Sequence, residues 1–111
     1  MKRVVIESPL NGPSRTHVEV HKLYARDCMR DSLMRGEAPF ASHLLYDQVG
    51  LLDDLIPEER ELGIIAGFTW GEKAELVAVY TDRGISAGMK RGIELAQSRG
   101  IEVVYRQLYP L

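Results

Sequence analysis

The sequence is short of cysteine, of excess charge and of long apolar runs, and each shortage removes a class of protein. One cysteine, Cys28, occurs in 111 residues, so neither an intramolecular disulfide nor a CxxC zinc knuckle can form. Lys and Arg number 14 against 16 Asp and Glu, a formal charge of −2. Charge alone therefore recruits neither a nucleic-acid polymer nor an anionic membrane. No apolar run approaches the ~18–20 residues of a membrane span. The opening MKRVVIESPL lacks the apolar stretch of a signal peptide, and the expectation is a cytoplasmic domain. The three histidines fall at 17, 21 and 43. His17 and His21 are four apart, but neither an HExxH pattern nor a third ligand accompanies them. No metal and no cofactor is expected.

What is present describes one globular domain. The chain is 45% hydrophobic and 27% charged, an average balance that excludes whole-chain disorder, collagen and coiled coil. Ten glycines are the unusual count. Strand-like and helix-like segments alternate. Arg3–Ser8, with Val4, Val5 and Ile6 in a row, reads as a strand buried on both faces. A turn with two prolines leads to a helix from Ser14 to about Arg35, with Val18, Ala25, Cys28, Met29, Ser32 and Leu33 on its inner side. Ala38–His43 reads as a second strand and Leu44–Ile56 as a loop with room for a helical turn. Pro57 opens a helix to about Lys73, whose apolar residues Leu62, Ile65, Ala66, Thr69 and Trp70 predict the inward stripe. Leu76–Tyr80 is a third strand, Ser86–Arg99 a last helix and Ile101–Arg106 a fourth strand. This order predicts an α/β domain with three layers, a parallel sheet of about four strands with helices on both faces.

Ligands of open parallel sheets bind outside the carboxyl ends of the strands, where strand order reverses. That rule selects the turns Glu7–Pro13, Ser42–Tyr46 and Thr81–Gly88. In Asp82-Arg83-Gly84-Ile85-Ser86-Ala87-Gly88-Met89 a glycine-bearing turn enters a helix, which suits an anion; it equally suits an ordinary turn with Ser86 as cap. Neither the P-loop pattern nor GxGxxG is present. Glu7, at a strand end, suits a general base or a ribose hydroxyl, and equally a salt bridge. His43 suits acid–base work or phosphate binding, and equally a buried hydrogen bond. The candidate ligand- and phosphate-binding set is Ser8, Leu10, Gly12, His43, Asp82, Ser86, Gly88 and Met89. Gly88, Gly92 and Ala96 recur every four residues as a narrow stripe on the last helix.

Four pieces in order resemble the nucleoside 2-deoxyribosyltransferase-like family, including its short bacterial and phage relatives. They are Ile6-Glu7-Ser8-Pro9-Leu10, Ala38-Pro39-Phe40-Ala41-Ser42-His43, Pro57-Glu58-Glu59-Arg60 with Leu62-Gly63, and Asp82–Met89 followed by Ile93-Glu94 and Ala96. The resemblance implies a flavodoxin-like or Rossmann-like sheet and a pocket for a nucleoside or nucleotide. It also implies a glutamate that attacks the sugar's anomeric carbon, within a pattern of Gly, three residues, Glu, three residues, Ala. Gly88 and Ala96 match the flanks, and Gly92 stands where the resemblance places the glutamate. Two other carboxylates are candidates for catalysis. Glu94 lies ~200° around the helix from Gly92, and Glu7 comes from a neighbouring strand end. The expected function is binding of a nucleotide or nucleoside derivative. Two alternatives stand beside it: an N-glycosidase or deoxyribosyltransferase with a relocated carboxylate, and a non-catalytic interaction scaffold. The apolar tail residues Tyr105, Leu108, Tyr109, Pro110 and Leu111 are expected to pack on a second copy, giving a homodimer or larger.

Overall fold

A computed structural model describes residues 1–109. Four strands, β1 (Arg3–Glu7), β2 (Ala38–Phe40), β3 (Leu76–Tyr80) and β4 (Glu102–Arg106), form one sheet in the order β2-β1-β3-β4, and every pairing is parallel. The helices are α1 (Arg15–Met34), α2 (Ser42–Tyr46), α3 (Pro57–Gly71) and α4 (Ala87–Ser98). Side-chain alternation along β1 explains the layering. Val4 and Ile6 join Tyr24 and Cys28 of α1 in one core, whereas Val5 packs with Met89, Ile93 and Ala96 of α4 on the opposite face. All five residues of β3 are buried, as a strand covered on both sides requires. The expected α/β layering with helices on both faces is therefore present. Among the described residues, no helix is long and apolar enough to cross a membrane.

Three expectations change. The second strand stops at Phe40, and residues 42–46 form α2 instead of its continuation. The Ala41 carbonyl accepts from the amides of Leu44 and Leu45, so the chain turns as soon as it clears the sheet edge. On α1, Leu33 is exposed, while Tyr24 and Lys22 are buried, the lysine paired with Asp47 at 2.9 Å. The largest change is in α3. Its apolar stripe faces outward, with Leu62, Ile65 and Trp70 57%, 50% and 64% exposed. The inward line is Gly63, Gly67 and Gly71, with Ile64 and Phe68 beside it. A Cβ at Gly67 would stand 2.6 Å from Ser42 Cβ, and one at Gly63 would press on Leu52 at 3.3 Å. Glycine lets α3 approach α2 this closely, so contact distance and not hydropathy sets the helix's rotation.

The tail is partly held by its own chain. Leu108 packs on the α1-side core, whereas Tyr105 and Tyr109 are exposed. Pro110 and Leu111, named with them as partner-facing, lie outside the described residues.

Candidate functional site

From β1 the chain passes through α1 to β2 on one side, and β3 lies on the other side of β1. Strand order reverses there, and the carboxyl ends of the strands splay around a cleft. The cleft encloses about 100 Å³. Its floor is the end of β1, and α2, α3 and the start of α4 wall it. A smaller cavity of about 40 Å³ continues it beside α2 and shares Leu10, His43, Asp54 and Arg60 with it.

Glu7, the last residue of β1, extends toward α4. It has no hydrogen-bond or ion-pair partner among the described residues. A Cβ at Gly92 would lie 2.6 Å from Glu7 Cδ and would overlap Oε2 outright. The carboxyl group thus occupies the space left by the missing side chain at 92. Burial without a compensating cation pushes its pKa up to about 8. A carboxyl in that range moves between acid and base near neutral pH.

Ser8 is buried just beyond β1 and shares a 2.8 Å hydrogen bond with His43 Nε2 on the first turn of α2. Burial lowers the His43 pKa to about 4, with its neighbours His21 and Lys22 acting in the same direction. The ring is therefore neutral at pH 7, with one nitrogen donating and one accepting.

Ser86 caps α4. Its hydroxyl oxygen accepts from the Met89 amide at 3.2 Å, and the Ser86 amide donates to Met89 Sδ at 3.4 Å. Nothing lies within 4 Å of where a Cβ at Gly88 would be, so the first turn of α4 stays open on that side. The positive end of a helix with such a turn favours an anion. Met89 also lines the cleft, but at 1% exposure it belongs mainly to the core.

Of the residues expected at a site, Glu7, Ser8, Leu10, His43, Ser86, Gly88 and Met89 meet in the cleft. Three others lie elsewhere. A Cβ at Gly12 would overlap His17 Cβ, so Gly12 serves the packing of its loop on α1. Asp82 is turned toward the tail. It accepts from the Tyr24 hydroxyl at 2.6 Å and from the Leu108 and Tyr109 amides at 2.9 Å. Burial alone would raise its pKa, but these donors hold it below the usual carboxylate range. Glu94 is exposed on α4 and does not border the cleft.

The structure brings in Ser42, from a turn already selected, and adds residues that were not singled out for the site: Phe40, Asp54, Arg60, Ile64 and Phe68. Asp54 is 8% exposed, and its Oδ2 has no hydrogen-bond partner. Arg60 Nε lies 4.0 Å from Asp54 Oδ1, and burial raises the Asp54 pKa despite that neighbour. Asp54 and Arg60 flank Pro57, so charged residues on both sides of a helix start were the available signal. Phe68 was hidden because it lies off the apolar stripe.

No curated protein and no solved structure matches the chain. Residues 2–106 match the family described as a domain of unknown function, DUF7768, and with nearly its whole length covered the chain belongs to that family.

Proposed function

We propose that the chain is a cytoplasmic domain whose cleft binds a nucleoside or nucleotide derivative as a small molecule. One observation carries this reading: the open start of α4 faces the same switch-point cleft as Glu7, the Ser8–His43 pair, Arg60 and the Phe68 ring. A helix start suits a phosphate, an aromatic wall suits a base, and neutral hydroxyl and imidazole groups suit a sugar's hydroxyls. The single thiol, buried and unpaired, fits a reducing compartment.

A second reading, cleavage of an N-glycosidic bond, rests on the placement of Glu7. The resemblance puts a glutamate at position 92, and Glu7 brings a carboxyl into the space beside Gly92. In that reaction the Glu7 carboxylate forms a C–O bond to the anomeric carbon as the C–N bond breaks. The base leaves with the bonding pair and takes up the proton that Glu7 released to solvent on ionising, and water then cleaves the glycosyl ester, freeing the sugar and returning a protonated Glu7 carboxyl.

Both readings are tested by thermal shift against deoxynucleosides, deoxynucleoside monophosphates and inorganic phosphate, followed by chromatography for released base. A ligand at 100 times its Kd is expected to stabilise the fold by ~2.7 kcal/mol. Binding without base release supports the first reading. Base release that Glu7→Gln abolishes supports the second. The absence of any shift with every nucleoside and nucleotide overturns both.

A further inference from the structure

We infer that the outward face of α3 joins two copies of this chain, with the helices antiparallel across a two-fold axis. Scattered apolar side chains on a surface are ordinary, but a contiguous patch is not. Here Leu62, Ile65 and Trp70 are each at least half exposed along one helix, with Ala66 between them. An apolar groove of about 370 Å³ between β2 and α3, walled by Phe40, Trp70 and Ala74, continues the patch. The other flank is closed, because Glu61 on α3 is tied to Arg91 on α4 by two 2.9 Å hydrogen bonds.

The charges at the ends of the stripe identify the occupant as a second copy. Glu58 lies at the first turn of α3 and Lys73 just beyond its last turn. Both are exposed, and among the described residues neither has an ion-pair partner. A two-fold axis makes every contact occur twice, residue i on j and j on i. At 3.6 residues per turn, Glu58, Leu62, Ile65 and Thr69 share one side of α3, and Lys73 follows just beyond its end. Pairing Ile65 with Ala66 of the second copy across the axis sets Leu62 on Thr69 and Glu58 on Lys73. The small Ala66 lets the helices approach at their crossing. The face thus meets itself with opposite charges at both ends of an apolar middle. Because α3 also presents Arg60, Ile64 and Phe68 to the cleft, this contact would brace a wall of the site from behind.

The test needs no ligand: light scattering and analytical ultracentrifugation of the full chain at tens of micromolar. A mass of twice the 12.5 kDa chain is expected, and a monomer overturns the proposal. Ile65→Arg is expected to give monomers whose circular dichroism and melting remain those of a folded chain; a dimer that survives it overturns the choice of face. Glu58→Lys and Lys73→Glu each place like charges together twice, and each is expected to weaken association by about tenfold. Combining them restores opposite charges and is expected to restore the dimer. Failure of the double reversal to do so overturns the antiparallel register.

Discussion

Glu7 and His43 are both half-buried beside the cleft, and loss of water around their polar ends moves them in opposite directions because it disfavours whichever form is charged. The folded chain keeps a proton on Glu7 up to about pH 8, whereas the unfolded chain releases it near 4.5. Stability therefore falls as pH rises between those values. The folded chain keeps His43 neutral down to about pH 4, whereas the unfolded chain takes up a proton near 6.5, so stability falls as pH drops through that window. The two effects oppose each other below 6.5, and from there to 8 only Glu7 of the pair contributes. Urea melts of the wild type are expected to lose stability from pH 6.5 to 8.5, and Glu7→Gln is expected to flatten that loss. An equal slope in both proteins would remove the claim that the Glu7 carboxyl is buried without a partner. Glu7 was legible as a polar strand end. Its isolation was not, because that depends on β1 lying under α4 with glycine at 92, a long-range adjacency that no local pattern carries.

The helices differ in how well periodicity described them. In α4, Met89, Ile93 and Ala96 face the core as their spacing implies. In α3 the same rule selects the outer face, because Gly63, Gly67 and Gly71 form the inner one. Hydropathy marks which residues avoid water, and the proposed second copy would satisfy them as well as a core does. The sharper local signal was the four-residue recurrence of glycine, which marks the side of closest approach. Gly67→Ala tests this. Alanine favours the helix by ~1 kcal/mol, but its methyl would meet Ser42 Cβ at 2.6 Å and Ser42 Oγ at 2.7 Å, and overpacking of this kind costs ~1–3 kcal/mol. A lower urea midpoint is expected; an unchanged or higher one would mean that α2 yields freely. The start of the short α2 at Ser42 was not legible, because the expected strand ran through it to His43. Its Ala41 carbonyl acts as a backbone anchor without a capping side chain.

At the scale of the molecule, parallel order and layering were readable from uninterrupted apolar runs such as Leu76–Tyr80. The fastening of the tail was not. Asp82 joins the turn after β3 to α1 through Tyr24 and to the chain end through two amides. Asp82→Ala removes the acceptor these donors share; a hydrogen bond to a charged group is worth ~1.5–3 kcal/mol, and the exposed Tyr109 amide, which water can satisfy, contributes least. A lower Tm and faster proteolysis near Leu108 are the expected results; a tail equally resistant in both proteins would show that Leu108 packing alone suffices. The charged pair Arg106–Glu37, at 2.7 Å, ties the last residue of β4 to the residue before β2, holding the Glu37 carboxyl down to about 2 chiefly through its hydrogen bonds to Arg106. The space beside Gly92 has a consequence for how such sequences can vary. Positions 7 and 92 come from opposite ends of the chain, yet a side chain at one and a carboxyl at the other exclude each other. A single step to a larger residue at 92 collides, and a single step to a small residue at 7 leaves a void. The two positions are therefore expected to change together across relatives, the acid passing from strand to helix only as a matched exchange.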